Sequence, residues 1–166
     1  MDLNNEWYIY ENAIDSATCT KIIESAGDNF EEGKMYGTPS GRKDRATEIA
    51  WTKEQWIYEL IWPYMEDANE RADWQYEIIS AEPMQIARYN TDDFINFHTD
   101  GRSDNSTPNS HIRKLSMTVI LNDDYEGGDF QFASLTRDAE TSISTTKYTG
   151  TGTVIVFPSF MMHRVT

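Results

Sequence analysis

Apolar positions in the first half of the chain recur at helical spacing. Ile22, Ile23 and Ala26 follow Asp15 and Ser16, either of which can cap a helix, and Gly27 tolerates the left-handed conformation at which such a helix stops. Further along, Trp56, Leu60, Tyr64 and Ala68 form a stripe that Ile57, Ile61 and Met65 widen, and Thr52 with Gln55 makes a capping-box pattern ahead of it. Pro63 falls within that stripe. Without an N–H, and with a ring that clashes with the preceding turn, it predicts a kink or two shorter helices meeting there. Residues 31–44, with Gly33, Gly37, Pro39 and Gly41, read as the loop between the two helical stretches.

The second half changes period. Residues 76–80, 84–89, 115–121, 130–132 and 154–157 are short β-branched or aromatic runs separated by turn residues, which predicts strands of an antiparallel sheet. Gly127 and Gly128 supply the positive-φ residues of a tight reversal, Gly150-Thr151-Gly152 opens another strand, and Pro158 ends it. Residues 101–109 are polar, contain Pro108 and read as a mobile lid. The helices then buttress one face of the sheet.

Length and charge narrow the picture. A chain of 166 residues suits one domain, with helices over about 14–72 and a strand-built core over about 76–166. The hydrophobic fraction of 39% and the aromatic fraction of 13% supply enough burial to fold. A formal charge of -14 disfavours nucleic acid and anionic membranes as partners. Cys19 is the only cysteine, so there is no disulfide framework and no cysteine zinc site, which fits a reducing compartment and makes cytoplasm the expected location. No basic start precedes a long apolar run, and no segment is long enough to span a bilayer.

The chemistry concentrates in His98, Asp100 and His163. If residues 98–100 are extended, the two-residue period of a strand points His98 and Asp100 the same way and turns Thr99 aside. A distant third ligand, His163, completes the two-histidine, one-carboxylate face that suits non-haem Fe(II) with open positions. Each fragment alone has a plainer reading: Asp100-Gly101 can start a turn, and His98 can be a half-buried histidine. Their combination beside predicted strands favours the metal. His111 lies in or just after the polar loop and is left out as a solvated or substrate-facing side chain.

Arg88-Tyr89, Asp93-Phe94, His98-Thr99-Asp100, Leu115-Ser116, Leu121-Asn122, Tyr125-Glu126-Gly127-Gly128, Gly152, Val156-Phe157-Pro158-Ser159 and His163-Arg164-Val165 occur in a joint order and spacing. From Gln85 onward the chain thereby resembles the prolyl-4-hydroxylase-like (PKHD-type) branch of the Fe(II)/2-oxoglutarate-dependent dioxygenases. The resemblance implies a mainly β fold with flanking helices, a cupin-like double-stranded β-helix or jelly roll. It implies His98, Asp100 and His163 as iron ligands, 2-oxoglutarate and O2 as cosubstrates, and ascorbate as an accessory cofactor. The implied reaction couples decarboxylation of 2-oxoglutarate to succinate with hydroxylation of a C–H bond, on a peptidyl, and first of all prolyl, residue of a peptide or protein partner. Retention of Asp100 favours hydroxylation over halogenation.

Relatives place a basic residue beyond the second histidine, on a closing strand, to hold the far carboxylate of 2-oxoglutarate; here it is expected past Thr166. Within the sequence, Lys114 is the candidate replacement, with Arg88 and Arg164 behind it, and Tyr89 stands where the family has a pocket tyrosine. Asp92 replaces a frequent glycine and Ile95 a frequent tyrosine. Two alternatives stay open: a catalytically impaired metal-binding jelly-roll module, and a hydroxylase of a small molecule or amino acid.

Overall fold

A computed structural model describes residues 6–33, 44–101, 112–135, 141–146 and 150–166. The chain runs β1 (Tyr8–Tyr10), α1 (Ser16–Ser25), β2 (Glu31–Glu32), β3 (Arg45–Ala46), β4 (Glu48–Thr52), α2 (Gln55–Arg71), β5 (Met84–Arg88), β6 (Phe94–His98), β7 (Leu115–Val119), β8 (Phe130–Leu135), β9 (Thr141–Thr145), β10 (Val154–Pro158) and β11 (Met162–Val165). Most of residues 31–44 and 101–109, and His111, lie outside the described residues, so the loop and lid expectations stay there.

Both helices form where apolar spacing places them. Asp15 caps α1 by accepting a 2.9 Å hydrogen bond from the Thr18 N–H, and Gly27 follows the helix at φ +54. α2 departs from expectation in two ways. It is one uninterrupted helix through Pro63, and the carbonyl deprived of a partner belongs to Glu59, an exposed residue where water can replace the missing donor. Nor does Thr52 form a capping box: it ends β4, its hydroxyl accepts from the Glu54 N–H at 3.2 Å, and the Gln55 amide donates forward to Glu59.

Residues 76–80 are not a strand. The Asn69 side chain takes both the N–H and the carbonyl of Tyr76, at 3.0 and 2.9 Å, in place of a neighbouring strand, and Ile79 is left 65% exposed. The other predicted strands form, as β5, β7, β8 and β10, while β1, β2, β3, β4, β6, β9 and β11 are additional. Glycines 127 and 128 take positive φ, +77 and +66, yet the reversal they make is no hairpin: β7 and β8 belong to different sheets.

The strands make three antiparallel sheets, ordered β1-β10-β7, β3-β6-β11-β8-β9 and β2-β4-β5. β10 explains the layering. Val154 and Val156 pack with Ile14, Cys19 and Ala68, on the helix side, whereas Ile155 and Phe157 pack with Phe130 and Phe132 of the five-stranded sheet. A strand buried on both faces must be apolar throughout, and Val154 to Phe157 is. The second helix-facing cluster joins Ala50 and Ile86 to Ile22, Ala26 and Ile57, so α1 and α2 cover both three-stranded sheets. Gly152 locks the N-terminal segment to β10. Its carbonyl accepts from the N–H groups of Ala13 and Ile14, its φ is +82, and a Cβ would lie 1.8 Å from the Ile14 carbonyl oxygen. Among the described residues no helix is long and apolar enough to cross a membrane.

Candidate metal centre

Two adjacent strands of the five-stranded sheet carry the histidines. β6 and β11 run antiparallel with His98 directly opposite His163. The next aligned pair is Ile95 with Val165, so two steps along β11 span three along β6. That extra residue is a bulge, and it puts His98 on the face that Ile95 occupies, where simple alternation would place them on opposite faces. The ring centroids of the two histidines are 4.2 Å apart.

Asp100 arrives differently from the strand geometry that the H-x-D spacing suggests. β6 ends at His98, and Thr99 and Asp100 follow it outside the strand pairing. The Asp100 and Gly101 N–H groups both donate to the Ser159 carbonyl, at 2.9 and 2.8 Å. Ser159 itself is buried, donates its N–H to the Lys114 carbonyl and pairs hydroxyls with Ser116 at 2.9 Å. On the other side Arg113 reaches the Asp100 carbonyl at 3.4 Å while gripping both carboxylate oxygens of Glu82, at 2.7 and 2.5 Å. Asp100 is thus held by the β10–β11 turn and by the start of β7, and its carboxylate meets the histidines.

The result is a compact donor set. Asp100 Oδ1 is 3.6 Å from His98 Nε2, and Oδ2 is 3.7 Å from His163 Nε2. One ligand atom from each residue lies within 4.8 Å of the others. Donors bound side by side to a first-row metal at about 2.0–2.2 Å stand roughly 3 Å apart, so a small inward movement satisfies an ion. The tautomer is set for it. Each Nδ1 sits against the backbone carbonyl two residues earlier, Asn96 at 2.8 Å and Met161 at 2.9 Å, which protonates Nδ1 and leaves the Nε2 lone pair facing the centre. His163 is only 4% exposed, stacked 5.5 Å from Phe130 and set edge-on 4.7 Å from Phe157. Burial pushes its pKa below the ordinary value; Asp100 and the Met161 carbonyl oppose that, and His98 adds to it. A neutral imidazole is the metal-binding form.

The other candidate residues divide. Tyr89 lines the same cavity as His98, Asp100 and His163, and burial raises the pKa of its phenol while Arg45 pulls it down. Lys114 lines the cavity too, but it is an exposed residue whose ammonium lies 5.9 Å over the Tyr76 ring. Arg88 is ion-paired with Glu48 at 2.9 Å and lies over Phe30; Arg164 stacks on Phe97, on the outward face of the sheet, and donates to Gln131. Asp92 keeps the turn of the frequent glycine by adopting φ +64, and Ile95 is buried. Sequence reasoning passed over Arg45. It lines the cavity, and its electrostatic partners include Tyr89 and Asp100. The open space beside the triad is bordered by the outer strands β5 and β7 of the two three-stranded sheets.

Residues 84–166 match the family model described as the 2OG-Fe(II) oxygenase superfamily. No curated protein matches the sequence. Among solved structures, a Pseudomonas putida prolyl-4-hydroxylase superposes with a TM-score of 0.69 at 16% identity, over 99% of this chain and 86% of that one. The viral collagen prolyl hydroxylase vCPH of Paramecium Bursaria Chlorella virus-1, solved as its 2OG complex, gives 0.68 at 17% identity, over 100% and 91%. OsALKBH1 gives 0.61 at 13% identity, over 97% and 85%. Likeness at such identities is likeness of fold, here the mainly β jelly roll with its helices outside.

Proposed function

The chain belongs to the 2OG-Fe(II) oxygenase superfamily, and on that premise we propose that it is an Fe(II)- and 2-oxoglutarate-dependent hydroxylase acting on a peptidyl residue, prolyl being the first to test. The observation that carries the reading is the meeting of His98 Nε2, His163 Nε2 and the Asp100 carboxylate within 4.8 Å, on a wall of the large cavity. In this reading those three side chains hold Fe(II) and leave the remaining positions to reagents. The bound metal, with 2-oxoglutarate and O2, supplies the oxidation: one oxygen atom enters a C–H bond as hydroxyl, the other enters succinate, and carbon dioxide leaves.

The chain's own residues orient and shield. Phe130 and Phe157 close the inner side of His163, which fixes the ring and keeps water from that flank. The Asn96 and Met161 carbonyls accept the two Nδ1–H groups, which keeps each Nε2 turned toward the centre. A peptidyl substrate accords with the two prolyl hydroxylases among the fold relatives, and a charge of -14 favours a neutral or basic peptide over a nucleic acid. Free, buried Cys19 suits a cytoplasmic setting, and ascorbate belongs in the assay as reductant.

The test has two stages. Anaerobic Fe(II) protein titrated with 2-oxoglutarate should develop a visible metal-to-ligand charge-transfer band. With O2 and proline-containing peptides it should then form succinate together with a one-oxygen mass gain on the peptide. His98→Ala and Asp100→Ala should lose both. Turnover unchanged in either variant removes the mechanism, and absence of the band in the parent protein favours a metal-binding module.

A further inference from the structure

β9 ends the five-stranded sheet, and its outer side meets no strand among the described residues. The backbone groups left over there follow from the ladder on the other side. The Thr146 N–H donates to the Phe130 carbonyl at 3.0 Å, and facing residues of an antiparallel pair are hydrogen-bonded alternately, so Ser144 and Ser142 also turn their backbone groups toward β8. Thr141, Ile143 and Thr145 therefore turn their N–H and carbonyl groups outward, along one free edge.

Free edges are blunted in most folds by charge, proline, a bulge or brevity. β9 has none of these. A quarter of the chain's residues are charged, yet Thr141-Ser142-Ile143-Ser144-Thr145 carries no charge, and it pairs with β8 without a register shift. The other sheet ends differ: β2 is Glu31–Glu32, β3 has 2 residues, β1 has 3, β5 carries Arg88, and β7 borders the open space beside the triad.

The β9 sequence also reads the same in both directions. In an antiparallel pair of two such strands with Ile143 opposite its own copy, Thr141 faces Thr145 and Ser142 faces Ser144. Every outward backbone group of one strand then meets one of the other, and any slipped register leaves some unpaired. The side chains agree with that register. Ile143 is 50% exposed and ends a row with Ala133 and Met162, itself 42% exposed, on the outer face of the sheet. Facing side chains on one face touch, so the pairing covers Ile143 with its own copy and carries the apolar row across the axis.

We propose that β9 is a self-recognition edge: two copies of this chain pair through it, antiparallel about a two-fold axis at Ile143, and join their five-stranded sheets into one. An edge of this length buries less than a standard interface, which makes the dimer reversible. His163 lies on β11, separated from β9 by β8, so the pairing leaves the metal centre open.

The experiment is sedimentation equilibrium on the full chain, from low to high micromolar, in about 0.15 M salt, where repulsion between the two acidic chains is screened beyond about 8 Å. The parent should show a monomer–dimer equilibrium. Ile143→Lys and Ile143→Glu each set like charges opposite one another at the axis and should raise the dimer Kd more than about tenfold. Mixed in equal amounts, the two variants should recover a heterodimer, since opposite charges then meet; simple loss of an apolar side chain gives no such rescue. Melts and Co(II) binding like the parent's tie the loss to the edge, and Thr141→Lys, exposed on the same strand, should weaken the dimer in the same direction if either variant folds poorly. A parent that stays monomeric at every concentration overturns the inference. So does a dimer whose Kd these substitutions leave unchanged, or a mixture of the two variants that stays monomeric.

Discussion

Asp100 owes its position to atoms outside itself, and that separates what a sequence announces from what only packing supplies. The donor set that the fold brings together was legible: histidine is rare in this chain, and His98, Asp100 and His163 stand beside apolar runs. The means of holding them was not. Ser159 receives the N–H groups of Asp100 and Gly101, and Arg113 bridges Glu82 to the Asp100 carbonyl, contacts between residues far apart in the chain. Arg113→Gln should weaken Co(II) or Fe(II) affinity about tenfold, within the range for supports of metal ligands. It should cost little stability, about 1 kcal/mol or less, because the Arg113–Glu82 pair is partly solvent-exposed. Metal titration followed by optical spectra, beside thermal melts, separates the two effects; an unchanged metal affinity would make the clamp merely structural.

Elements show where local preference suffices and where it fails. α1 and α2 follow their apolar spacing, and β10 follows its uninterrupted Val-Ile-Val-Phe run. Residues 76–80 look like a strand by composition but find no neighbour, since the Asn69 side chain satisfies Tyr76 first. β11 is the reverse case: Met-His-Arg-Val carries a weak strand signal, and pairing with β6 on one side and β8 on the other makes it central. Gly152 marks the tightest junction between elements. Gly152→Ala combines a positive φ with a Cβ overlapping the Ile14 carbonyl, and should cost more than about 3 kcal/mol, seen as a large fall in the urea midpoint or as failure to fold. β1 is tied to α2 by the Tyr10 hydroxyl, which donates to Asp67 at 2.5 Å. Burial first, then that hydrogen bond, raises the Tyr10 pKa above its ordinary value of 10.0. A raised folded-state pKa gives stabilisation that is complete below pH 10 and fades as pH climbs toward the folded value. Urea midpoints of the parent should therefore drop between pH 10 and higher pH, and Tyr10→Phe should flatten that drop.

For the molecule as a whole, the triad is a cross-link in waiting. His98 closes β6, His163 lies in β11, and Asp100 is fastened to the turn between β10 and β11 and to the start of β7. An ion shared by these three joins segments some sixty residues apart, and a ligand that binds only the folded state stabilises it by mass action. At a free metal concentration about 100 times Kd, the gain is about 2.7 kcal/mol. In a chain of 166 residues each kcal/mol moves the melting temperature by about 2–4 °C, so saturating Fe(II) or Co(II) should raise it by roughly 5–10 °C. The shift should vanish in Asp100→Asn, which preserves the backbone bonds to Ser159 but removes the ligand charge, and chelator should reverse it in the parent. A metal shift that survived Asp100→Asn would place the stabilising ion elsewhere, among the acidic groups that give the surface its charge of -14, and would detach the metal from the cavity that holds Arg45 and Tyr89.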